Sequence, residues 1–223
     1  VTHVRDIERM YPPSITTVWT SENTATLTAT FSLAGKLYGN GDYTVRASSF
    51  YNAASYKPWK IFGYDTLGGL WKNYGYTNPT NGFYGGTASF EGTRGDWITI
   101  QHPAPFVVTS FRFSPRGGAE TAGMPGLFKV YGRNGGIGSW SLLYTQSQNP
   151  ANIATNTVYY TTTTVAYSEY GLVVSQLRLS GTTLNFKYWN FWGYTLNGGA
   201  ANPVTSLYGA VGSTWVSPAL ATT

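Results

Sequence analysis

Apolar and polar residues alternate with a period of two along much of this chain, and that period predicts strands. In ATLTATFSL, Leu27, Ala29 and Phe31 share one face while Thr28, Thr30 and Ser32 share the other. In GDWITIQ, Ile98 and Ile100 face one way, and Trp97, Thr99 and Gln101 face the other. Phe128 and Val130 of FKVYG follow the same rule, as do Tyr170, Leu172 and Val174 of YGLVV. Successive side chains on a strand point to opposite sides, so each apolar set predicts a core-facing surface. The segment FKYWNFWG is apolar on both faces, which predicts a central strand or one covered by another surface. Gly39-Asn40-Gly41-Asp42 predicts a hairpin turn, because Asn-Gly tolerates the positive φ that such turns require. No heptad, amphipathic helix or internal repeat interrupts the pattern. The expected fold class is all-β.

Three stretches depart from the alternation. Residues 1–24 carry His3, Arg5, Asp6, Glu8 and Arg9, followed by Met10-Tyr11-Pro12-Pro13, which stops any helix begun there. They predict an N-terminal arm. Residues 63–95 are rich in Gly, Tyr and Asn and exceed ordinary loop length, so they predict a functional loop or hidden strands. After Leu196 the chain becomes rich in Gly, Pro and Ala, which predicts an extended C-terminal tail over 197–223. The sandwich itself is expected over 25–196.

Composition narrows the function classes. Charged residues make up 10% of the 223, against a usual ~25%. Aromatics reach 17%, with 18 Tyr and 8 Trp. These side chains join an apolar body to a hydrogen-bonding tip, so they suit assembly interfaces and sugar faces. The net charge of +5 comes from 14 basic and 9 acidic residues. The bases are dispersed, with no run of the kind that marks a nucleic-acid footprint. No apolar run is long enough to span a bilayer. The absence of cysteine excludes disulfides, thiolate metal sites and cysteine nucleophiles.

Several motifs, taken in order, carry a family resemblance. They are Ala47-Ser48-Ser49, Pro58-Trp59-Lys60-Ile61-Phe62, Leu70-Trp71, GDWITIQHPAPFVVTSFRFSPR, PGLFKVYGRNGG with Trp140-Ser141-Leu142-Leu143, AYSEYGLVV and YWNFWG. Together they resemble the discoidin-like (coagulation-factor type C) domains of the galactose-binding-like superfamily, over about residues 25–195. The resemblance implies an eight-stranded antiparallel jelly-roll β-sandwich. More narrowly, Met10-Tyr11-Pro12-Pro13 ahead of Tyr38-Gly39-Asn40-Gly41-Asp42-Tyr43 resembles a variant found in virion proteins of large DNA viruses of algae and other protists. The resemblance also implies a structural calcium held by two carboxylates, but Gly63 and Tyr188 stand at those places. Asp65 is the nearest substitute. Calcium needs several hard oxygen ligands, so no metal or other cofactor is expected.

Candidate reaction centres are sparse. A glycosidase needs two carboxylates facing each other across a bond; Glu91 and Asp96 instead bracket a strand start. Only His3 and His102 offer imidazole, and a triad of His102 with Asp96 has no nucleophile elbow beside it. Gly132–Gly138 precedes a strand rather than a helix, so it predicts a hairpin turn and not a phosphate cradle. No catalytic residues are expected.

The aromatic loops offer the best functional signal. Trp71, Tyr74 and Tyr76 supply faces for a pyranose, while Arg116 and Glu120 supply polar contacts and lie at the same end if the family topology holds. Alternatively, these aromatics pack under their own loops or against a neighbouring subunit. Arg5, Arg9 and Tyr11 of the arm, Trp192 of the last strand and Trp215 of the tail are the expected protein-interface residues. The leading expectation is a non-catalytic structural or adhesive module at a virion or extracellular surface, bound to other capsid proteins or to copies of itself. The alternative is a lectin-like module recognising cell-surface glycans.

Overall fold

In the computed structural model, the described residues are 8–13, 20–51, 56–62, 71–78, 80–116, 121–136, 138–148 and 157–196. They form an antiparallel β-sandwich. In chain order the strands are β1 (Arg9–Tyr11), β2 (Ser21–Asn23), β3 (Thr28–Leu33), β4 (Gly41–Ala47), β5 (Trp71–Asn73), β6 (Ser89–Phe90), β7 (Thr93–Arg94) and β8 (Asp96–Ser114). They continue with β9 (Pro125–Arg133), β10 (Ser141–Gln146), β11 (Val158–Tyr160), β12 (Tyr167–Leu177), β13 (Leu184–Phe186) and β14 (Tyr188–Tyr194). One 3-10 turn, Pro58–Phe62, precedes β5. No helix among the described residues is long and apolar enough to cross a membrane.

β8 belongs to both layers. Its first half pairs with β12 and β4 in a sheet ordered β10-β9-β12-β8-β4-β3-β2. Its second half pairs with β11 and β14, and β14 pairs with β1, which makes the second sheet. The crossing lies at Gln101–Phe106. There the register jumps from Glu169 opposite Gln101 to Tyr167 opposite Phe106, so His102, Pro103, Ala104 and Pro105 bulge against Ser168. Prolines fit because a bulge asks for no ladder N–H.

The faces predicted from alternation meet in the core. Phe31, Val45, Ile98, Ile100, Phe128, Val130, Tyr170, Leu172 and Val174 come from the first sheet. Phe111, Phe113, Trp189 and Phe191 come from the second. Ring contacts tie the layers: Phe113 meets Phe128 at 5.0 Å and Tyr170 meets Phe191 at 5.3 Å. β14 is central, between β8 and β1; Trp189 and Phe191 face the core, while Trp192 on the other face is half-buried.

The N-terminal region contributes more than an arm. Arg9–Tyr11 adds β1 to the second sheet, and Tyr11 is buried with its ring stacked 4.1 Å from Phe106. Ser21–Asn23 adds β2 to the first sheet. Residues 1–7 and the expected tail from 197 lie outside the described residues.

The outer face of the first sheet has its own aromatic cluster. Gly171 lacks a side chain, and Phe90 from the β6–β7 hairpin takes that place, so a Cβ on Gly171 would lie 2.8 Å from the Phe90 ring. Trp97, Tyr131 and Trp140 surround Phe90 at 4.9–5.6 Å. Beside them Glu169, buried on β12, accepts a hydrogen bond from Arg133 Nε at 2.6 Å, with Arg46 at 3.9 Å.

Candidate functional site

Four elements end together at one pole of the sandwich. β4 finishes at Ala47 opposite Ile98, close to the start of β8, while β12 finishes at Leu177 opposite Pro125, the start of β9. The segment that follows β4 and the one that follows β5 carry exposed aromatic rings. Tyr51 and Tyr74 are 41% and 48% exposed, and their rings meet edge to face at 4.8 Å. Tyr56 extends the row, with its ring 5.9 Å from Tyr51. The Arg116 guanidinium lies 5.8 Å over Tyr56. The result is a ladder of three phenol rings with a cation at one end.

The ladder stands on a buried base. Phe50, next to Tyr51, packs on the fully buried Trp59 at 6.0 Å. The Trp59 indole N–H donates to Glu22, which also pairs with Lys57. Tyr74 follows Asn73, whose side-chain oxygen accepts the Tyr74 amide at 2.8 Å. Beneath both segments lies Asp96, fully buried, accepting from Ser48, Ser49 and Asn73. Burial raises the pKa of Asp96, and the hydrogen bonds from Ser49, Asn73 and Ser48 work against that rise.

The structure sorts the expected sugar-contact residues. Tyr74 and Arg116 are joined through Tyr51 and Tyr56. Trp71 and Tyr76 are not part of the surface. Trp71 is fully buried, with its indole N–H donated to Ser49 O at 3.0 Å and its ring against Phe186. Tyr76 is fully buried, with its hydroxyl donated to Val174 O at 3.0 Å. Burial, and then the Asp96 charge, push the Tyr76 pKa well above its ordinary value. Neither ring has a face to offer a ligand. Glu120 lies outside the described residues. Tyr51 and Tyr56 were missed because they sit in an irregular segment, where no period separates exposed rings from buried ones.

The expected interface residues divide in the same way. Tyr11 is core. Arg9 lies 5.0 Å over Tyr38, and Trp192 is half-buried with the Arg112 guanidinium 5.2 Å over its ring. Arg5 and Trp215 lie outside the described residues.

The acid–base candidates Asp96 and His102 do not come together. Asp96 opens the first half of β8 and His102 closes it, ~20 Å apart at the rise of an extended strand. Neither nitrogen of His102 has a hydrogen-bond partner among the described residues. Where the resemblance puts a calcium carboxylate, Tyr188 sets its ring under the Lys187 ammonium at 5.1 Å. No group of three His, Cys, Asp or Glu comes together among the described residues. These residues do not fit a calcium site; Gly63 and Asp65 lie outside the described residues.

No family model matches the chain, and no curated protein matches it in sequence. In outline it is similar to several solved structures. One is the family 32 carbohydrate-binding module of Clostridium perfringens NanJ in complex with galactose (12% identity, 67% of this chain and 93% of that one, TM-score 0.47). Another is the family 32 carbohydrate-binding module of Streptococcus pneumoniae EndoD (14%, 67% and 94%, TM-score 0.48). A third is the F5/8 type C domain of a Bacteroides fragilis protein (14%, 69% and 93%, TM-score 0.45).

Proposed function

We propose that this protein is a non-catalytic carbohydrate-binding module that holds its ligand on the Tyr51–Tyr56–Tyr74 ladder beside Arg116. The observation that carries the reading is the exposed Tyr51–Tyr74 pair on a buried, hydrogen-bonded base. A pyranose presents an apolar face to an aromatic ring, and the phenol hydroxyls and guanidinium supply hydrogen bonds to its hydroxyls. A rigid platform limits the entropy lost on binding. The described carboxylates mostly serve the fold: Glu22 with Lys57 and Trp59, Asp42 with Ser32, Asp96 with Ser48, Ser49 and Asn73, Glu169 with Arg133.

A glycan array followed by calorimetry tests the reading. Wild type is expected to select a glycan class, and Tyr74→Ala to weaken its affinity about tenfold, ~1.4 kcal/mol. A blank array, or Tyr74→Ala binding as wild type does, would remove this assignment.

A second reading, an assembly module docked on neighbouring structural proteins of a virion, is favoured by strand β11. There Val158 and Tyr160, both directed outward, are 39% and 73% exposed. Burying these two side chains against a neighbour would favour association. On this reading the protein self-associates in sedimentation velocity and Tyr160→Ser reduces the effect; a monomer at every concentration opposes it.

A further inference from the structure

We infer that Asp96 is the positioning residue of the tyrosine ladder, pinning the two chain segments that carry Tyr51 and Tyr74. The inference rests on reading those rings as the binding platform, but its structural half stands without any ligand. One carboxylate reaches both segments. Its Oδ1 accepts Ser49 Oγ at 2.7 Å and Ser48 Oγ at 3.1 Å, and its Oδ2 accepts Asn73 Nδ2 at 2.5 Å. Ser49 stands two residues before Tyr51, and Asn73 stands immediately before Tyr74.

The two segments are also tied to each other and to β8. Asn73 Nδ2 reaches Ser49 Oγ at 2.6 Å, and the Trp97 amide donates to Ser48 Oγ at 2.9 Å. Asn73 uses its other side-chain atom to accept the Tyr74 amide, so its orientation passes directly to the platform. Gly75 then crosses the carboxylate closely. A Cβ there would lie 3.1 Å from Asp96 Oδ2 and 2.5 Å from the Tyr84 ring, so the crossing admits no side chain. A fully buried carboxylate with acceptors facing donors on two loops is an anchor for both.

Asp96→Asn keeps the size and changes the pattern. With one amide orientation its new Nδ2 faces Asn73 Nδ2, donor against donor; with the other, the Ser49 hydroxyl loses its acceptor. The double variant Asn73→Asp with Asp96→Asn exchanges the two groups and restores a donor facing an acceptor.

The readout is the nuclear Overhauser contact between the Tyr51 and Tyr74 rings in tyrosine-labelled protein, with core Trp189 and Phe113 resonances as a check on folding. The inference expects the ring contact to weaken in Asp96→Asn and to return in the exchanged double variant. If Asp96→Asn does not fold, Ser49→Ala, which removes one donor only, is expected to loosen the same contact. For whichever glycan the array ranks first, affinity is expected to drop about fivefold in Asp96→Asn and to recover in the double variant. Ring contact unchanged in Asp96→Asn and in Ser49→Ala, or lost and not restored by the exchange, overturns the positioning role. Ring contact that is lost and restored while glycan affinity stays constant upholds the positioning role and overturns the platform as the binding surface.

Discussion

Burial of the His102 imidazole is expected to cost the wild-type protein about 3 kcal/mol of stability as pH falls from 7 to 4, a contribution that His102→Phe removes. His102 is 3% exposed, at the bulge where β8 crosses between the sheets. Rings surround it edge-on: Phe106 at 4.9 Å, Tyr43 at 5.3 Å, Tyr170 at 5.8 Å, Phe191 at 6.0 Å and Tyr11 at 6.4 Å. Desolvation lowers its pKa from 6.5 to about 3. Tyr43 and Tyr170 have pKa values raised by burial, so they remain neutral in acid and offer no negative charge to an imidazolium. The unfolded chain therefore takes up a proton below about 6.5, and the folded protein does not do so until about 3.

Between those values the unfolded state holds more protons, so stability falls as pH falls, by about 1.4 kcal/mol per unit. Above about 6.5 the contribution is flat. Asp96 acts with the opposite sign: its raised pKa favours the folded state as pH falls through the carboxylate range. That effect is common to wild type and variant, so their difference isolates the histidine. Phe in the same cage also removes two buried nitrogens without partners, so the variant is expected to be at least as stable at pH 7. Urea midpoints at pH 7, 5.5 and 4 measure this. Parallel losses in both proteins would contradict it.

Arg133→Leu is expected to destabilise the protein by roughly 3–5 kcal/mol, because it strands a buried carboxylate. Glu169 is 1% exposed, and its close cation is Arg133 Nε at 2.6 Å. Arg46 stands at 3.9 Å with a side chain 47% exposed, so solvent screens much of its contribution. Arg133 also lies 4.3 Å over the Trp140 ring, a contact that the variant loses as well. If the stranded charge dominates, Arg133→Leu combined with Glu169→Met should recover most of the loss. Removing both charges leaves apolar volume among Phe90, Trp97 and Trp140. Thermal and urea denaturation of the single and double variants decide the matter. A double variant no more stable than the single one would show that packing on Trp140, and not the charge, is the larger effect.

How much was legible depended on whether a residue's environment is set by its neighbours in sequence. Ile98 with Ile100, and Tyr170 with Leu172 and Val174, could be assigned to the core because strand period alone decides which way they point. The Gly135-Gly136 turn was legible for a similar reason: both residues take positive φ, near 70°, between β9 and β10. Tyr11 was not legible. Charge in the preceding residues suggested an arm, whereas a gap beside Phe106, distant in sequence, draws Tyr11 into the core. Pro103 and Pro105 lie inside β8. The strand continues because the sheet crossing makes no use of the missing N–H groups.

The candidate site shows the same limit more sharply. Trp71, Tyr74 and Tyr76 are equally aromatic in sequence, and their segment has no regular period beyond β5. Which rings are buried is decided by partners elsewhere: Ser49 for Trp71, and Val174 for Tyr76. Tyr74 stays outside because Asn73, held by Asp96 and Ser49, takes the inward direction. Tyr51 meets Tyr74 only because one buried carboxylate gathers both segments. Residue type could suggest an aromatic platform, and tertiary hydrogen bonding chose its members.

The central claim is that the tyrosine ladder is a ligand-binding surface, and a nuclear magnetic resonance titration tests it most directly. The glycan that ranks first on an array is added to tyrosine- and arginine-labelled protein. Saturable shifts are expected in the rings of Tyr51, Tyr56 and Tyr74 and in the Arg116 side chain, with the affinity lost in the Tyr51→Ala, Tyr74→Ala double variant. Saturable binding that leaves those resonances unmoved, or full affinity in the double variant, would contradict it.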